Sequence, residues 1–81
     1  MNAMTATPLQ EILAHLESMT TALRSQDEDR GRSLLARTLN LLRSRPLDYC
    51  DRMTIRIVLF RIQRAGGRTM AQAVESFLAI S

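Results

Sequence analysis

The sequence predicts an all-α fold, a small bundle of four helices joined by short loops. Apolar residues recur at spacings of three and four in four successive segments. Residue types that start or stop helices stand at the ends of these segments. A chain of 81 residues is short enough to form one domain. We therefore expect a single helical domain over residues 1–81, with residues 1–6 as a disordered leader and no convincing internal repeat.

The first helix has a clear start signal. Thr7 is followed directly by Pro8, and Gln10 stands three residues after Thr7. This is the pattern of a capping box with proline at the first helical position. It predicts a helix over about residues 8–24. One apolar stripe runs along that helix and consists of Leu9, Ile12, Leu13, Leu16, Met19 and Leu23.

The second helix is expected to begin after a short polar connection. Asp27 is the predicted N-cap, because its carboxylate can accept a hydrogen bond from a free N–H of the first turn. The helix should end near Ser44, since Pro46 pushes Arg45 away from helical geometry. Its broad apolar arc contains Leu34, Leu35, Leu39, Leu41 and Leu42, with Thr38 inside it.

The third segment is ambiguous between strand and helix. It is rich in β-branched residues, which favour strands, and it extends to Ala65. A helix capped by Asp48 or Asp51 is the better interpretation, because the segment is too long for an ordinary strand and has no second strand to pair with. Gly66 and Gly67 should end it, as glycine adopts the left-handed geometry of a helix C-cap.

Placed on a helix, the third segment has two apolar stripes instead of one. The first consists of Ile55, Val58, Leu59 and Ile62. The second consists of Met53, Ile57 and Phe60. A surface helix needs a single apolar stripe, so this helix is either central in the monomer or shared between the core and a partner.

A fourth helix closes the chain. Thr69 and Gln72 repeat the spacing of a capping box and predict the helix start there. The following residues place their apolar side chains on one face, which consists of Met70, Ala73, Val74, Phe77 and Leu78.

The charges are divided unevenly along the chain. All eleven basic residues are arginines, against eight acids, for a net charge of +3. Residues 1–29 hold five of the acids and one arginine, whereas residues 30–68 hold ten arginines and two acids. An acidic segment and a basic segment attract each other within or between chains, and a basic segment also attracts an acidic partner.

The residue types needed for common enzyme chemistry are scarce. Cys50 is the only cysteine and His15 the only histidine, so one chain forms neither a disulfide nor a zinc site of these residues. No Gly-x-Ser-x-Gly or phosphate-binding glycine loop occurs. We predict no catalytic, cofactor-binding or metal-binding residues, with Cys50 as a small packing residue and His15 solvated beside Glu11.

Neither a signal peptide nor a membrane span is indicated. The longest aliphatic or aromatic run covers residues 57–60, far short of a bilayer. The sequence therefore predicts a soluble, cytoplasmic protein without a membrane partner.

The predicted function is a non-enzymatic regulatory or adaptor module that acts through helix-mediated protein–protein contact. A small domain without disulfides or metal is often supported by a second subunit, so we expect a homodimer, or a partner with an apolar groove and an acidic rim. The predicted interface consists of Met53, Ile57 and Phe60. The predicted basic rim consists of Arg52, Arg56, Arg61 and Arg64.

The alternative is a nucleic-acid-binding regulator that uses the arginine-rich middle segment. The last two helices, joined by a glycine turn, have the outline of a helix-turn-helix. In the first turns of the fourth helix only Gln72 suits a base edge, and Glu75 would oppose phosphates. Protein contact is therefore the favoured prediction.

Overall fold

The computed structural model describes residues 7–44 and 47–80, which form four α-helices. These are α1 (Pro8–Arg24), α2 (Glu28–Ser44), α3 (Tyr49–Arg64) and α4 (Arg68–Ile80). The described ranges contain no strand, so the ambiguous third segment is helical, as predicted. None of these helices combines the length and apolarity that a membrane span requires. The predicted leader and the predicted effect of Pro46 lie outside the described residues.

The predicted caps begin three of the helices. The backbone N–H of Gln10 donates to Thr7 Oγ1 at 3.1 Å, and the Thr7 N–H donates to Gln10 Oε1 at 3.0 Å, which completes the capping box of α1. At α3 the Asp51 N–H donates to Asp48 Oδ1 at 2.8 Å, so Asp48 is the cap. Asp27 accepts from the first turn of α2 in the same way. Each bond satisfies an N–H that the helix itself leaves free.

The predicted start of α4 at Thr69 is wrong. The helix begins at Arg68, and its first backbone bond runs from the Ala71 N–H to the Gly67 carbonyl at 2.9 Å. The preceding turn explains the difference, because the Gly67 N–H already donates to the Ile62 carbonyl at 2.8 Å. That bond directs the chain into α4 before Thr69 can cap it.

Each helix packs on two of the others. α1 packs beside α2 and α3, and α4 packs beside α2 and α3, whereas the backbones of α1 and α4, like those of α2 and α3, come no closer than 8 Å between Cα atoms among the described residues. The four helices thus form a closed ring of two hairpins around one core. The buried apolar cluster consists of Ile12, Leu16, Met19, Leu34, Ile55, Leu59, Ile62, Ala71, Val74 and Leu78.

Five buried positions of the first hairpin recur forty residues later in the second, although the sequence shows no convincing repeat. The matching buried pairs are Met19 and Leu59, Ala22 and Ile62, Gly31 and Ala71, Leu34 and Val74, and Thr38 and Leu78. The two connecting turns also match, since each has a left-handed residue at its second position, Gln26 with φ 60° and Gly66 with φ 97°. The correspondence does not extend along the whole of α1 and α3, because Ile12 and Leu16 are buried whereas Arg52 and Arg56, forty residues later, are half-buried.

The hairpins approach each other closely at two glycines. A Cβ atom on Gly67 would lie 2.5 Å from Leu23 Cδ1 and 2.7 Å from Ile62 Cγ2. A Cβ atom on Gly31 would lie 2.7 Å from Met70 Cε, the mobile end of a flexible side chain. The space at Gly67 is thus closed, whereas the space at Gly31 can adapt.

The two turns give a test of backbone strain. Gln26→Gly should raise the free energy of unfolding by about 0.5–1 kcal/mol, because glycine adopts the left-handed conformation without the Cβ penalty. Gly66→Ala should lower it by about 1 kcal/mol for the same reason, since no atom lies within 4 Å of the added Cβ. Urea denaturation followed by circular dichroism measures both, and a Gln26→Gly variant less stable than the parent chain would contradict the prediction.

The two interior glycines should respond differently to alanine. Gly67→Ala should lower the free energy of unfolding by about 1–3 kcal/mol through overpacking. Gly31→Ala should change it by less than about 1 kcal/mol, because the gain in helix propensity offsets the displacement of Met70. Thermal unfolding of the matched pair decides this, and equal losses would show that the two sites are equally tight.

Candidate functional site

α3 divides its apolar side chains between two opposite faces. The inner face is buried in the core and consists of Ile55, Leu59 and Ile62. The outer face, called here the α3 face, carries the exposed large apolar side chains of the described residues. These are Tyr49 (67% exposed), Met53 (38%), Ile57 (60%) and Phe60 (63%). Their spacing of four, four and three places them in one row along the helix.

The three predicted interface residues therefore lie together, open to solvent. Ile57 and Phe60 keep about three fifths of their surface exposed and Met53 about two fifths, which excludes a central position for α3 in the monomer. Tyr49 was not predicted to belong to this row. Its position four residues before Met53 places it there, but only if Asp48 and not Asp51 is the helix cap.

A groove of about 360 Å³ separates the α3 face from α4. Ile57 and Phe60 line one side of it, and Gln72 and Glu75 line the other. Arg56 Nε donates to Glu75 Oε2 at 2.9 Å beside this groove, and both side chains are partly exposed. The ion pair neutralises the α4 border of the α3 face.

The four predicted rim arginines lie around the α3 face, but only some of them carry an uncompensated charge. Arg52 and Arg56 are half-buried and one turn apart on the α4 side. Arg61 is exposed on the other side, in a groove shared with α1. Arg64 is exposed at the C-terminal end of the face. Within the described residues Arg61 and Arg64 form no ion pair, whereas Arg56 is held by Glu75.

The forty-residue correspondence between the hairpins does not account for the α3 face. Positions 57 and 60 lie forty residues after Glu17 and Thr20, whereas positions 49 and 53 lie forty residues after Leu9 and Leu13, which pack against the core. Glu17 and Thr20 line the groove between α1 and α3, whereas positions 57 and 60 line the groove beside α4. It is their exposure that shows these two α3 side chains to lie outside the core.

The residues considered for catalysis or metal binding lie apart from one another in the fold. Cys50 is exposed at the start of α3, so its predicted role as a packing residue is wrong. His15 is half-buried. It lies in a groove between α1 and α2 together with Arg37 and with Glu11, the neighbour predicted from the sequence. In the described part of the chain no three His, Cys, Asp or Glu side chains form a group that could hold a metal ion.

The arginines of residues 30–68 point in several directions. Arg37 lines grooves beside α2, Arg61 lies between α3 and α1, and Arg56 is paired with Glu75. Arg43 is placed with its Cζ 5.4 Å from the centre of the Phe77 ring. Nucleic-acid binding by a folded domain uses basic side chains gathered on one face or stripe. This arrangement gives the nucleic-acid alternative less support than the α3 face gives protein contact.

Two isoleucines of α3 test the division between its faces. Ile55→Ala should lower the free energy of unfolding by about 2–5 kcal/mol, as expected for a buried side chain. Ile57→Ala should lower it by less than about 1 kcal/mol, because most of that side chain is already in water. Denaturation at high dilution measures both, and a loss at Ile57 equal to that at Ile55 would show that Ile57 belongs to the core.

Comparison with known proteins does not indicate a function. No protein-family model matches the chain, and no curated protein or solved structure shows a significant match. The function must therefore be inferred from the α3 face itself: an apolar row on a folded helix, with a neutralised α4 border and free arginines at its C-terminal end.

Proposed function

We propose that this protein is a small, non-enzymatic regulatory or adaptor module that acts by binding another protein through the α3 face. Its partner is a second copy of the chain or a protein with an apolar groove and an acidic rim. One observation carries the proposal. The α3 face is an exposed apolar row of Tyr49, Met53, Ile57 and Phe60 on a helix whose opposite face is buried in the core.

Burial of this face supplies the binding energy. Ile57 and Phe60 each keep about three fifths of their surface in water, and transfer of apolar area out of water gains about 25 cal/mol per Å². Aromatic side chains at the centre of an interface often carry much of the affinity, which suits Tyr49 and Phe60. Arg61 and Arg64 then select carboxylates at the edge, because a guanidinium binds a carboxylate through two parallel hydrogen bonds.

The size of the chain favours a second subunit. A domain of 81 residues buries only about two thirds of its unfolded surface, which leaves a small margin of stability. A single cysteine provides no disulfide within the chain. We therefore propose that dimerisation covers the α3 face and completes the bundle, since oligomerisation is the support left to such a domain.

A photoreactive amino acid placed at position 60 tests the proposed function directly. In the cells that produce the protein, p-benzoylphenylalanine at this position should form a defined protein adduct on irradiation, because a partner covers the α3 face. The matched control carries the same amino acid at the position of Ala36, which is exposed on α2, a helix that does not contact α3. Mass spectrometry identifies the adducts. Equal, unspecific labelling from both positions would contradict the proposal.

A further inference from the structure

The α3 face is complementary to itself when it is reversed. Along the helix it reads Tyr49, Met53, Ile57 and Phe60, and Arg64 continues the same row at the C-terminal end. We propose that a second copy of the chain occupies this face, with the two α3 helices packed antiparallel. This inference rests on the proposed function and deepens it by naming the partner and its orientation.

One register satisfies every residue of the row. Reversal places Tyr49 opposite Arg64 of the second copy and Met53 opposite Phe60 of the second copy. Both pairs have their midpoint between Arg56 and Ile57, so a single twofold axis passes there. It sets each Ile57 level with Arg56 of the second copy and about 1.5 Å along the helix axis from the other Ile57, within reach of contact. An isologous interface needs this property, because each residue must fit its counterpart twice.

The paired side chains are chemically matched. The guanidinium of an arginine is attracted to the face of a tyrosine ring. The thioether of methionine makes favourable contacts with the edge of a phenylalanine ring. The chain already contains an arginine–aromatic contact in its own fold, with Arg43 Cζ 5.4 Å from the centre of the Phe77 ring. The middle of the row is the apolar contact between the two Ile57 side chains.

The charges favour the antiparallel arrangement over the parallel one. The N-terminal end of α3 carries Asp48 and Asp51 beside one arginine, Arg52, and its last turn carries Arg61 and Arg64 without an acid. Antiparallel packing brings the basic end of each copy beside the acidic end of the other, and the helix dipoles add to this attraction. Parallel packing would place four free arginines together.

The ion pair between α3 and α4 reduces the charge repulsion that would otherwise arise at the proposed twofold axis. Arg56 lies next to the proposed axis, where it approaches Arg56 of the second copy. Its Nε is 2.9 Å from Glu75 Oε2, so the charge at the axis is compensated within each chain. The pair thus serves the interface by keeping two like charges from meeting unscreened.

The size of the contact predicts a reversible dimer. A helix of 16 residues is about 24 Å long and about 10 Å wide. One such contact is smaller than the roughly 800 Å² that each partner buries in a standard interface. We therefore expect dissociation in the micromolar range.

Sedimentation of the full chain over a micromolar concentration series tests the proposal. The mass should rise toward twice 9.2 kDa with increasing concentration. The double variant Ile57→Glu, Phe60→Thr replaces two exposed apolar side chains of the α3 face by polar ones. It should stay helical and weaken association at least about 100-fold, as expected when central apolar contacts are replaced by charge. Ala36→Glu, a charge on exposed α2, is the control and should leave association unchanged.

Spin labels on the native Cys50 determine the orientation without changing the α3 face. Cys50 is exposed, and in the antiparallel register the two copies place it about 20 Å apart along the helix axis. A parallel pair would bring the labels to about 10 Å, which overturns the antiparallel arrangement. A chain that stays monomeric at every concentration overturns the inference as a whole. An adduct with a different protein from position 60 would then still support the proposed function.

Discussion

The packing of one helical hairpin on the other is the contact on which the rest of the structure depends. Each hairpin is a pair of amphipathic helices, and two helices alone cannot enclose an apolar core. Gly67 allows the turn of the second hairpin to approach Leu23 of the first, and Gly31 leaves room for Met70 in return. Because these two approaches close the ring, the buried side chains of all four helices form one cluster. The inner face of α3 belongs to this cluster, so its outer face must point to solvent or to a partner.

Local signals in the sequence predict most of the fold. The capping box of Thr7 and Gln10, with the apolar spacing that follows, predicts α1 to within its observed bounds. Such signals depend on bonds between residues three or four apart, and these form in any context that permits a helix. Thr38 was placed inside the apolar arc of α2 on the same grounds. It is buried there, with its hydroxyl donating to the Leu34 carbonyl at 2.8 Å.

Features that depend on distant residues were not predictable in this way. The ion pair of Arg56 and Glu75 joins residues 19 positions apart on different helices, and no spacing rule selects that partner among eight acids. The start of α4 was misplaced because the turn before it is held by the Ile62 carbonyl. The repeat was invisible because the two hairpins share which positions are buried and not which residues fill them. Gly31 and Ala71, or Thr38 and Leu78, serve the same place with different chemistry.

The two faces of α3 separate what the fold requires from what it does not. Single exposed apolar residues are normal on a protein surface and need no explanation. Four of them in one row on one helix form a continuous patch, which exposes the chain to unspecific association unless something covers it. The inner face of α3 joins the buried cluster through Ile55, Leu59 and Ile62, whereas Ile57 and Phe60 keep about three fifths of their surface in water. The outer row therefore carries a cost in solubility with little gain in monomer stability. We propose that binding accounts for it, and that the ion pair on its α4 border keeps the charge there from opposing a close approach.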